Sequence, residues 1–251
     1  MAIRKLRSES EAAMSARFFS FILGLAMSPF FCHAKQFAPR PASTMTETVS
    51  VTELRVPSAA AKELRLSLKQ FDAGDFRESA RHLERVIQVD NHIPAAHHNL
   101  GVCYMRLREY EKAVGEFQRA LALDPHMMTT RTSLAEALFV LRRYSEAEEA
   151  AHEAYELEPK NPIARYLFSR ILAIEGHDTP EVIEMLRASR AQFPAAHLVL
   201  ACMLLKQRAT DDALFELREY LKQPDPPEKI KVVSMIERLT NSGGAATCAM
   251  N

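Results

Sequence analysis

The chain has 251 residues, with 32 Lys plus Arg against 32 Asp plus Glu, so it offers no basic field for nucleic acid and no acidic tail. Apolar residues make up 47% and there are only 7 glycines, a composition that suits helices and argues against a turn-rich β-fold.

The first 34 residues read as a targeting segment. Arg4, Lys5, Arg7 and Arg17 precede an apolar run from Phe18 to Cys32, which is shorter than the ~20 residues a bilayer span needs. Cys32-His33-Ala34 then offers a small-x-small cleavage pattern. The expectation is a cleaved signal peptide that places the rest of the chain outside the cytoplasm. An uncleaved N-terminal anchor is the alternative, and only then would the chain touch a membrane. Met14 opens a shorter segment of the same kind. Cleavage would leave a mature charge of about −2, too little to steer a partner. It would also leave Cys103, Cys202 and Cys248, an odd number that gives no disulfide framework. Cys103 and Cys202 fall on apolar helical faces, where packing is the expected role.

Residues 35–58 form a linker with Pro39, Pro41 and Pro57, in which alternation over 49–56 allows a short extended segment. Ser58 is the expected N-cap of the first helix. From about residue 60 to residue 193 the chain repeats itself every 34 residues. Leu66, Leu100, Leu134 and Phe168 keep that step, as do the small residues after them, Ser67, Gly101, Ala135 and Ser169. Tyr104, Leu138 and Leu172 keep it too, and so do Phe76, Tyr110 and Tyr144. A fixed period of this length means stacked units, none able to bury its apolar face alone. Helices are predicted over 59–73 and 76–89, 94–107 and 110–123, and 127–141 and 144–157. A fourth pair starts at Asn161-Pro162, turns at Gly176-His177-Asp178 and resumes at Thr179-Pro180. The fifth, over 194–223, begins two residues early, which places a deletion in the turn at 192–194. Pro224 to Pro227 stop that array. Ile230, Val233, Ile236 and Leu239 then mark the apolar stripe of a capping helix over 224–240, and residues 241–251 read as a disordered tail.

Leu100-Gly101, Tyr104, Tyr110, Ala113, Phe117, Ala120 and Asp124-Pro125 together resemble the tetratricopeptide repeat, as do Leu134-Ala135, Tyr144, Ala147, Ala154 and Pro159 one unit later. The resemblance covers about residues 60–223. It implies an all-α fold, an α-solenoid of about five helix-turn-helix units closed by the terminal helix. The chain is also similar to exported bacterial repeat proteins, in which a signal and a short extended segment precede the array.

No phosphate loop, nucleophile elbow or Cys-x-x-Cys is present, so neither an enzyme nor a cofactor is expected. His152-Glu153 lacks the second histidine of a zinc-protease helix, and His92 and His126 repeat one loop position without converging, so no metal site is expected. What the resemblance does imply is a protein or peptide partner held on the concave face. Its groove positions fall on His98, Asn99, Val102, Met105 and Arg106, on Thr132, Ser133, Glu136 and Phe139, and on Tyr166 and Arg170. Leu64 and Leu68 stand where some relatives carry a Lys/Asn clamp for a terminal carboxylate, which argues against that clamp here.

Overall fold

A computed structural model of the chain describes residues 56–241, and within them the backbone forms eleven helices. The first hairpin is α1 (Ser58–Asp72) with α2 (Phe76–Val89), and the second is α3 (Pro94–Leu107) with α4 (Tyr110–Leu123). The third pairs α5 (Met128–Val140) with α6 (Tyr144–Leu157), and the fourth α7 (Pro162–Glu175) with α8 (Pro180–Ser189). α9 (Ala195–Lys206) and α10 (Thr210–Leu221) make the fifth, and α11 (Lys229–Asn241) closes the array. Each helix packs on its chain neighbours, so the stack is built from local contacts. The targeting segment, nearly all of the extended segment and Cys248 lie outside the described residues. Among the described residues no helix is long and apolar enough to cross a membrane.

The turn inside each hairpin has the same origin. Gly74 (φ 80°), Arg108 (62°), Arg142 (61°), Gly176 (92°) and Arg208 (61°) are all left-handed, and their spacing follows the sequence period of 34, shortened to 32 at the last step. A left-handed residue after the last helical one lets the chain reverse and satisfies the terminal carbonyls. Glycine takes this conformation freely, whereas arginine crowds its Cβ against the following carbonyl oxygen.

Close approach of the paired helices also follows from the sequence. A Cβ on Gly101 would sit 2.6 Å from Cε1 of Phe117, so the ring of α4 occupies the space left by the missing side chain on α3. Phe117, Ala113, Ala135, Ala147 and Ala151 are fully buried in a core shared by the second, third and fourth hairpins. Burying a ring of that size contributes roughly 2–3 kcal/mol. The other clusters likewise span neighbouring elements: one joins hairpins one and two, one joins four and five, and one joins five and α11.

Polar braces tie the two helices of a hairpin together. His82 Nδ1 meets Glu63 Oε2 at 2.7 Å, His97 Nδ1 meets Glu116 Oε2 at 2.7 Å, and His197 Nδ1 meets Glu216 Oε2 at 2.6 Å. An arginine joins each carboxylate: Arg85 on Glu63 at 3.3 Å, Arg119 on Glu116, and Arg190 on Glu216 at 2.7 Å. In the third hairpin Arg131 and Glu153 supply the brace. Glu116 and Glu216 are buried, and a buried carboxylate persists only when paired and hydrogen-bonded in this way.

Two expectations are corrected. Ser58 does not cap α1: it is the first helical residue, Pro57 holds the cap position, and no side chain bonds there. Asn161, by contrast, accepts from Ile163 N at 3.0 Å and Ala164 N at 3.3 Å, as Asn161-Pro162 suggests. On α11 the buried residues are Val232 and Leu239, with Met235 and Ile236 half-buried, while Ile230 is 86% exposed. Nine residues at about 100° each amount to about two and a half turns, so Ile230 and Leu239 lie on opposite faces. Val232 and Leu239, seven apart, share one.

Candidate partner-binding face

The first helices of successive hairpins touch one another directly, α3 on α5, α5 on α7 and α7 on α9. The expected groove residues lie on these helices, but the structure divides them into two groups. His98, Asn99, Val102, Thr132, Ser133 and Tyr166 are buried. Thr130 Oγ1 lies 2.9 Å from His98 Nδ1, joining α5 to α3, and the His98 ring packs against Phe117 at 5.6 Å. Thr132 Oγ1 donates to Thr129 O at 2.9 Å, and Tyr166 stacks on Phe193 with centroids 4.5 Å apart and planes 6° apart. All six are buried and present no surface to a partner in this conformation, and the His98–Thr130 contact links the second hairpin to the third.

The second group is half-buried and faces outward in part: Met105, Arg106, Glu136, Phe139 and Arg170. Arg170 lies 4.2 Å from the centre of the Phe139 ring and 5.5 Å from that of Tyr166, with its Nη2 3.9 Å from Glu136 Oε1. Arg106 lies 5.8 Å from the Phe71 ring centre and 5.7 Å from that of Phe76. It makes no ion pair with any described residue, and its Nε has no hydrogen-bond partner. Arginine on an aromatic face is held by the ring quadrupole and keeps its outer N–H groups for another acceptor. Phe71 and Phe76 escaped the sequence reading of this face. Phe71 stands one period before Met105 and two before Phe139, so the same ladder contains it.

The family model for the tetratricopeptide repeat matches residues 94–127, the second hairpin and the turn after it. The second hairpin therefore matches the tetratricopeptide repeat, and the others share its period and helix-turn-helix fold. Solved repeat proteins share the architecture. YrrB, described as a repeat protein with an unusual peptide-binding site, superposes with a TM-score of 0.59 at 19% identity, over 71% of this chain and 92% of its own. MamA from Desulfovibrio magneticus RS-1 gives 0.58 at 19% identity over 73% and 97% of the two chains. A thermophilic repeat protein of Thermus thermophilus gives 0.53 at 18% over 73% and 100%. At these identities the likeness establishes the fold. No curated protein matches by sequence.

Two open concavities flank the repeats. One, about 350 Å³, is lined by Arg108, Tyr110, Lys112 and Leu141 at the turns of the second and third repeats. The other, about 370 Å³, is lined by Ile87, Asn91, His97 and Leu123 between the first and second. Burial pushes the Cys103 thiol up to about 11 and also raises that of Cys202, which leaves both as packing residues at neutral pH. A different pair of groups is perturbed where the third repeat meets the fourth. The Glu175 carboxyl is pushed up to about 7, first by a hydrogen bond with Glu148, then by burial and by the repulsion between the two.

Proposed function

We propose that the chain is a non-catalytic scaffold that binds a protein or peptide on the face built by the first helices of its repeats, and that it does so outside the cytoplasm. The observation carrying this reading is Arg106, a cation set over two aromatic rings with no anion of its own. It lies on the face where Met105, Phe139 and Arg170 are also partly open. That combination offers aromatic and aliphatic contact together with a pre-positioned donor, the composition that anchors interfaces. The basic, then apolar, then small-x-small order of residues 4–34 supports export. Retention of that segment as an anchor would make the same scaffold membrane-tethered.

The test is photo-crosslinking in cells with a probe at Met105, compared with a probe at Val89, which is exposed at the end of α2. A partner is expected to crosslink at Met105 and to be lost when Arg106→Glu is added. Equal labelling at both positions, insensitive to Arg106→Glu, would remove this face as the binding site. The N-terminal residue of the isolated chain, read by mass spectrometry, separates the exported form from the anchored one.

A further inference from the structure

We propose that Glu148, Glu175 and His177 form a divalent metal site that clips the third repeat to the fourth. The three come from different elements: Glu148 from the middle of α6, Glu175 from the last position of α7, and His177 from the turn that follows. One ligand atom from each lies within 4.8 Å of the other two. Three atoms so placed lie about 2.8 Å or less from a common point, so small side-chain rotations bring all of them to the ~2.1 Å that zinc requires. Gly176 makes the convergence possible. Its left-handed conformation reverses the chain directly after Glu175, and the backbone N–H of His177 donates to Leu172 O at 2.9 Å.

Charge is the second argument. Three glutamates nearby have cations: Glu136 faces Arg170, Glu146 is bonded by Arg143, and Glu153 by Arg131. Glu148 and Glu175 make no ion pair with any described residue, yet they face each other across the junction of two repeats. Two carboxylates held together without a counter-ion are relieved either by a shared proton or by a cation between them. One imidazole with two carboxylates is a donor set for zinc or a neighbouring first-row divalent ion, and three protein ligands leave a fourth position for water or for a group from a partner. The helix that follows the turn is short, α8 having 10 residues where α2, α4 and α6 have 14, so a clip would add support where the hairpin has less of its own.

The experiment is calorimetric titration of Zn²⁺ into the tag-free full chain, stripped with chelator and carrying Cys248→Ser to remove the tail thiol. One equivalent is expected to bind and to raise the thermal midpoint. Glu148→Gln, Glu175→Gln and His177→Ala are each expected to weaken binding at least tenfold, whereas His126→Ala, in a loop of another repeat, leaves it unchanged. Circular dichroism in chelator confirms that the variants keep their helices. Absence of saturable binding, or binding that all three substitutions leave intact, overturns the site. So does a chain that takes up no zinc and is stabilised by Glu175→Gln, since the carboxylates would then be sharing a proton.

Discussion

The second and fourth repeats follow one plan with different side chains. In the second, two helices of 14 residues meet across a short turn, and the bare backbone of Gly101 admits the ring of Phe117. Two periods on, the same positions hold Ser169 and Met185: a larger residue faces a thinner, more flexible one. Ser169 turns its hydroxyl back to Tyr166 O at 3.0 Å, and the stack of Tyr166 on Phe193 fills space near the shortened α8. Volume is thus kept in sum and redistributed. The second repeat depends on one tight fit, whereas the fourth spreads its packing over several adaptable contacts.

That contrast is sharpest under truncation. Phe117→Ala is expected to cost about 3–5 kcal/mol, because the ring is fully buried and its surroundings cannot collapse onto a glycine. Met185→Ala, at the equivalent but half-buried place, should cost less than about 2 kcal/mol. Urea unfolding of both variants measures the difference, and equal losses would break the comparison. Enlargement gives the next effect. Gly101→Ala drives a methyl to 2.6 Å from Phe117 and should cost about 1–3 kcal/mol, whereas Ser169→Ala removes only a bond to its own helix and should stay within about 1 kcal/mol.

The hairpin turns give a smaller effect of opposite sign. Arg108 and Arg142 occupy left-handed positions that Gly176 fills in the fourth repeat. Arg142→Gly should therefore stabilise by up to about 1 kcal/mol, and Gly176→Ala should destabilise by about the same. Thermal midpoints of the two variants moving in the same direction would show that the turns are not equivalent.

The array was legible because each repeat states its own pattern. Leu100-Gly101, Tyr104 and Ala113 identify a hairpin without reference to any other part of the chain. The braces obey the same arithmetic. Glu63, His97 and Arg131 stand 34 apart, and His197 lies 66 further on, two steps of which one is shortened by two. The inner face was harder, since a one-repeat pattern says nothing about contacts between repeats. His98 looks exposed on α3 alone, yet Phe117 of its own hairpin and Thr130 of the next both pack against it. The terminal helix forms as expected, but its apolar stripe was misplaced for a related reason: spacing of three resembles helical periodicity over one turn and drifts to the opposite face over nine residues. Glu148 and His177 are distant in sequence and meet only through the turn at Gly176, which no spacing rule contains.

The junction of the third and fourth repeats yields the smallest effect, and its sign follows from the direction of the shift. The Glu175 carboxyl is pushed up to about 7 by its bond with Glu148, so the folded chain holds a proton that the unfolded chain releases near the ordinary carboxylate value of 4.5. Its contribution to stability is full below that value and is lost as pH rises toward 7. Glu175→Gln imitates the protonated form at every pH. In chelator the variant should match the parent near pH 4 and exceed it near pH 8, by no more than about 1 kcal/mol because the half-buried pair is still screened by solvent. Denaturant midpoints across that range measure the gap, and a gap independent of pH would mean that the two carboxylates do not interact. Acidification acts oppositely at the first repeat. There the bond from His82 holds the Glu63 carboxyl below its usual range, so that brace is present at neutral pH and is lost as pH falls through the lowered value. Junction and first brace respond to pH in opposite senses, so hydrogen exchange at acid pH should loosen α1 against α2 while leaving α6 against α7 protected.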